Sequence, residues 1–119
     1  MRIVLFVALG GAIGAVARYL LSSPINERAA PWGTIVVNLI GSAVLGFLIG
    51  WFGNRSADPA IQIGLLTGVL GGFTTFSTFS AETVLLLEHG RWEIAAVNVV
   101  VSVVFGIAAA AAGYALGRA

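Results

Sequence analysis

Apolar residues run along this chain in four long blocks, at about 3–21, 32–52, 60–88 and 92–116, interrupted only by short polar corners. A helix needs roughly 20 predominantly apolar residues to cross a bilayer, and each block meets that requirement. The first stops at Ser22-Ser23-Pro24, and the second lies between Pro31 and Gly53-Asn54-Arg55. The third opens near Pro59, whose missing N–H is no loss in a first helical turn, and runs to His89-Gly90. The connectors, 22–31, 53–58 and 88–91, are too short to separate two domains. The pattern predicts an all-α integral membrane protein, a single four-helix domain over 1–119. Arg2 followed by Ile3 to Leu9 is also compatible with a signal peptide, but its removal would leave an odd three-span remnant and discard Arg18.

Composition agrees. Of the 119 residues 59% are hydrophobic and 9% charged, against about 25% charged in a soluble domain, so most side chains meet lipid or other protein. Sixteen glycines suit helices that pack closely in a membrane. With no cysteine, disulfides and thiolate metal sites are excluded. A net charge of +1 carried by scattered arginines argues against nucleic acid.

The arginines also bear on orientation. Four spans put both termini and the second connector on one side, with Arg2, Arg55 and Arg118; the other side holds Arg28, Arg91 and Arg18, the last of which can snorkel from the end of the first span. Topology is set by an excess of Lys and Arg on one side, and this three-to-three tally has none. It predicts insertion both ways up and pairing as an antiparallel homodimer. A fixed topology decided by something other than charge stays open.

Polar residues at membrane depth are costly unless paired or hydrated. Asn38 and Ser42 lie four apart on one helical face, and Asn98 and Ser102 repeat that spacing in a Val-Asn-x-x-x-Ser pattern. On their own these four read best as bonds between packed helices. The third block is different. Leu70-Gly71-Gly72-Phe73-Thr74-Thr75-Phe76-Ser77-Thr78-Phe79-Ser80 combines a glycine pair with five hydroxyls and three phenylalanines. Glycine costs about 1 kcal/mol in a helix interior, and Ser and Thr hydroxyls compete for backbone bonds. The block also exceeds the length needed to cross. A break near Gly71 to Thr75 is expected, tolerated at that depth only where protein or a water-filled cavity satisfies the freed backbone. Its carbonyls would suit a cation. Phe73, Phe76 and Phe79 recur every third residue, either as a packing stripe or as a lining whose electropositive ring edges favour a small anion.

With these residues in view, the chain resembles the Fluc (CrcB) family of fluoride channels along nearly its whole length. The resemblance is carried by Gly10 to Tyr19, by Gly33 to Gly41 and, most specifically, by Gly71 to Ser80 with Glu82 after it. It implies a dual-topology antiparallel homodimer with two pores in the inner (plasma) membrane of the cell. It further implies a structural Na⁺ on the dimer axis, held by the backbone carbonyls of Gly71 and Thr74. The family's paired pore phenylalanines fall on Phe76 and Phe79, its span-two asparagine on Asn38 and its span-four serine on Ser102. Thr75, Ser77, Thr78 and Glu82 would continue a polar track, with Glu82 toward a pore end, and Arg18 would raise the local anion concentration. Asn98 remains a helix-to-helix bond.

The implied role is passive fluoride export that lowers cytoplasmic fluoride. Fluoride is strongly hydrated, so a narrow path must replace its water with donors that still release it. A small multidrug-type exporter would share the length and dual topology but would want a carboxylate deep in the first span, which has none. A non-transporting membrane subunit is the other alternative. An enzyme is not expected, since the one histidine, His89, sits at a span end with no nucleophile–base pair or metal cluster to assemble around it.

Overall fold

The structure, a computed structural model, describes residues 1–26 and 31–119. Arg28 of the charge tally lies outside the described residues. Among the described residues every regular element is helical, and four stretches are long and apolar enough to cross a membrane: Arg2–Ser22, Trp32–Gly53, Pro59–Glu88 and Trp92–Arg118. The first two are the continuous helices α1 and α2. The third stretch is made of α3 (Pro59–Ile63), a π-helical segment (Gly64–Leu70), α4 (Gly71–Phe73) and α5 (Phe76–Glu88). The fourth is α6 (Trp92–Val100), a π-helical segment (Val101–Phe105) and α7 (Gly106–Arg118).

Helix ends explain where these stretches begin and stop. The Asp58 carboxylate accepts the Ala60 N–H at 2.8 Å, with Pro59 in the first helical position, an N-cap that satisfies a donor the helix leaves free. That bond, and then the Arg2 guanidinium that pairs with the same carboxylate, hold the Asp58 carboxyl below the usual carboxylate range. At the far end Gly90 takes a positive φ of 73°. Its N–H reaches the Leu87 carbonyl and the Arg91 N–H reaches that of Leu86, the paired bonds of a Schellman turn.

Packing is done mainly by backbone. Few apolar side chains are buried, chiefly Ile35, Val37, Ala60, Leu70, Leu86 and Ala95, while long apolar faces of α1, α2 and α7 stay exposed. Those faces suit a lipid or protein surround. Two seams bring helices together through glycine. On α2 and α7, Gly46 and Gly113 leave room for the carbonyls of Ala110 and Ala43, which any Cβ would strike. On α1, a Cβ at Gly10 would lie 2.5 Å from the Gly64 carbonyl oxygen of the π-helical segment. Lipid offers no hydrophobic force between helices, so close approach by small residues supplies the contact.

Candidate functional site

Between α4 and α5 the chain leaves the helix for two residues. Thr74 (φ −84°, ψ 156°) and Thr75 (φ −148°, ψ 120°) are extended, while the glycine pair before them is helical. Local chemistry favours this turn. Thr75 caps α5, its hydroxyl accepting the Thr78 N–H at 3.2 Å, and the Thr74 hydroxyl donates back to the Leu70 carbonyl at 2.9 Å.

The exposed peptide groups find a partner on α2. Asn38 Oδ1 accepts the Thr75 N–H at 2.8 Å and Asn38 Nδ2 donates to the Thr75 carbonyl at 3.0 Å. One side-chain amide thus stands in for a peptide neighbour. In an unbroken helix the Thr75 and Thr78 N–H groups would serve the carbonyls four residues earlier, those of Gly71 and Thr74. Here they are engaged by Asn38 and by the Thr75 hydroxyl instead. Neither N–H is left for the carbonyl four residues earlier, and carbonyl oxygens are the kind of ligand a hard cation takes.

Two cavities meet at this turn. The first, about 250 Å³, is lined by Asn38, Ser42, Leu45, Thr74, Thr75, Phe76, Phe79, Ser102 and Val103. Phe76 and Phe79 lie with ring centroids 5.6 Å apart, tilted by 43°. Asn38 has spent one amide proton on Thr75 and keeps a second. The second cavity, about 210 Å³, is lined by Ala15, Arg18, Tyr19, Ser22, Asn26, Thr34, Thr75 and Thr78. Thr75 borders both, and its hydroxyl lies 3.1 Å from that of Thr78 and 3.4 Å from that of Ser77.

The residues singled out from sequence therefore divide. Asn38, Thr74, Thr75, Phe76, Phe79 and Ser102 come together around one cavity, and Arg18 and Thr78 lie on the other with Thr75. Ser77 and Gly71 are exposed and line neither. Glu82 also lines neither; one of its carboxylate oxygens accepts the Thr34 hydroxyl at 2.9 Å, and the other is buried with no partner among the described residues. Asn98 is fully buried and donates to the Thr83 hydroxyl at 2.9 Å, tying α6 to α5. Sequence reading did not single out Thr34 and Asn26. Thr34 precedes Asn38 and Ser42 at the same four-residue interval, a stripe that gave a usable signal. Asn26, which accepts the Gly33 N–H at 2.9 Å, gave none. Among the described residues no cluster of three His, Asp or Glu side chains could hold a metal.

Residues 5–114 match the family model described as CrcB-like protein, Camphor Resistance (CrcB). A Magnetococcus marinus protein named fluoride-specific ion channel FluC is 50% identical over 117 residues, which cover 95% of each chain. Proteins of the same name from Rhizobium meliloti and Escherichia coli O139:H28 are 44% and 42% identical, covering 100% and 96% of this chain and 98% and 92% of theirs. Near-complete coverage at such identity, on a chain with four membrane-length helices, leaves one conclusion: it belongs to the CrcB-like family.

Proposed function

We propose that this chain forms a fluoride-selective channel, two copies packed antiparallel with two pores, giving fluoride a passive way out across the inner (plasma) membrane. The observation that carries the reading is the cavity lined jointly by Phe76, Phe79, Asn38, Thr75 and Ser102, in a chain whose relatives bear the name fluoride-specific ion channel. Ring edges and neutral donors replace part of the water fluoride gives up, and no full positive charge lines that cavity to trap the ion. Ser77, Thr78 and Glu82 extend the polar track from the turn, and Arg18, on the neighbouring cavity, attracts the anion.

The break in the third span belongs to the same proposal. Extended Thr74 and Thr75 are affordable in mid-membrane only away from lipid. Gly71, Phe76 and Ser77 are exposed on the single chain, Phe76 by 79%. A second subunit over this region would cover the Phe76 ring and shield the Ser77 hydroxyl and the backbone at Gly71. There the Gly71 and Thr74 carbonyls of both copies would hold a structural Na⁺, whose charge would neutralise the converging carbonyl dipoles.

The test is passive fluoride efflux from liposomes holding the purified protein, with chloride as control and Phe76→Ile alongside. Rapid loss of fluoride but not chloride, slowed at least about tenfold by Phe76→Ile, is expected. No fluoride loss beyond protein-free vesicles, from folded protein, would overturn the reading.

A further inference from the structure

Asn98 lines neither cavity, yet it stands between two residues that line the first. The Phe79 carbonyl can only accept, and the Thr83 hydroxyl donates to it at 2.8 Å. A hydroxyl has one proton, so toward Asn98 the Thr83 oxygen can only accept. Asn98 must then present its NH₂ group, as it does at 2.9 Å. This turns its Oδ1 toward Ser102, one helical turn on, and the Ser102 hydroxyl donates to it at 3.5 Å. The proton order of the whole chain is set from the Phe79 end. A residue that served only to join helices would need the bond to Thr83 but not an oxygen aimed at Ser102.

Resting on the channel reading above, we infer that Asn98 is a positioning residue that holds the Ser102 hydroxyl pointed away from the cavity until an anion draws it round. Its full burial denies it water as a rival partner, so its oxygen stays available to Ser102. The Ser102 bond is at the long limit for a hydrogen bond, so an arriving anion draws the hydroxyl round at little cost. Once the anion leaves, the Ser102 hydroxyl, which keeps its proton throughout, swings back to donate to Asn98 Oδ1. A donor that must first be detached binds less tightly than a free one, and binding weak enough to release is what conduction requires.

The test is fluoride efflux across a range of fluoride concentrations, with the near-isosteric Asn98→Leu in the wild-type and Ser102→Ala backgrounds. Freed from its internal acceptor, Ser102 should bind fluoride more tightly. The half-saturating fluoride concentration then falls roughly three- to tenfold, and maximal efflux falls with it. In the Ser102→Ala background, Asn98→Leu should change either quantity by less than about twofold, because the two act as one unit. Thr83→Val, which keeps Asn98 but removes the fixed acceptor, should move half-saturation the same way and serves if Asn98→Leu fails to fold. Reduced efflux at unchanged half-saturation, equal in both backgrounds, would overturn the inference and leave Asn98 a packing bond. Wild-type protein without fluoride efflux would instead overturn the channel reading beneath it.

Discussion

At the scale of single residues, Asn38 carries two tasks that its sequence position hints at only in part. Its spacing from Ser42 marks a polar face, but the need for an amide on that face comes from Thr75, 37 residues away in the chain. Asn38→Leu would leave the Thr75 N–H and carbonyl unpaired, at about 1–3 kcal/mol for each buried group. The expected outcome is a lower unfolding temperature in detergent, with fluoride efflux reduced at least about tenfold. Unchanged efflux and stability would show that the clamp is dispensable. Asp58 gives a residue-scale prediction in pH. Its carboxyl is held low by the Ala60 N–H and then by Arg2. A lowered folded-state pKa contributes stability that is present above the unfolded value of about 3.9. That contribution is lost as pH falls through the folded value. Thermal unfolding between neutral pH and about pH 2 should show this loss, and Asp58→Asn should remove that part of the pH dependence.

At the scale of elements, the glycine seam between α2 and α7 makes a sharp contrast possible. Gly113 packs where a Cβ would strike the Ala43 carbonyl, whereas a Cβ at Gly53 meets nothing within 4 Å. Gly113→Leu is expected to cost about 1–3 kcal/mol through overpacking, and Gly53→Ala to stay within about 0.5 kcal/mol. Melting curves of the two purified variants check both, and equal stabilities would argue against the seam. The two π-helical segments are an element-scale feature without a counterpart in the sequence reading. Gly64–Leu70 leads up to the turn, and Val101–Phe105 carries Ser102 to the first cavity. Such segments concentrate at functional sites because one added residue per turn re-aims the side chains that follow.

For the whole molecule, the balanced arginine tally and the residues exposed beside the turn both support the antiparallel pairing proposed above. The absence of native cysteine gives a clean background for testing it. Ser56 is exposed in the connector after α2. In cells, Ser56→Cys should be labelled by a membrane-impermeant thiol reagent in about half of the molecules, as insertion both ways up requires. Labelling of all or none would establish a single orientation and exclude the antiparallel pair.

Hydropathy by itself determined that the chain is helical and has four stretches able to cross a membrane, because lipid leaves the backbone no alternative to internal hydrogen bonds. The run from Leu70 to Ser80 also marked itself as poor helix and as candidate chemistry, since glycine and hydroxyl residues act on their own backbone. What only the tertiary structure decided is where the departure from helix falls and who completes it. The extended pair is Thr74 and Thr75, not the glycines, where a side-chain amide from α2 engages both peptide groups of Thr75. The same holds for the pairing of Thr34 with Glu82 and of Asn98 with Thr83. Periodicity tells which residues share a face of their own helix, but the partner on the next helix depends on how closely the glycine seams let the backbones approach.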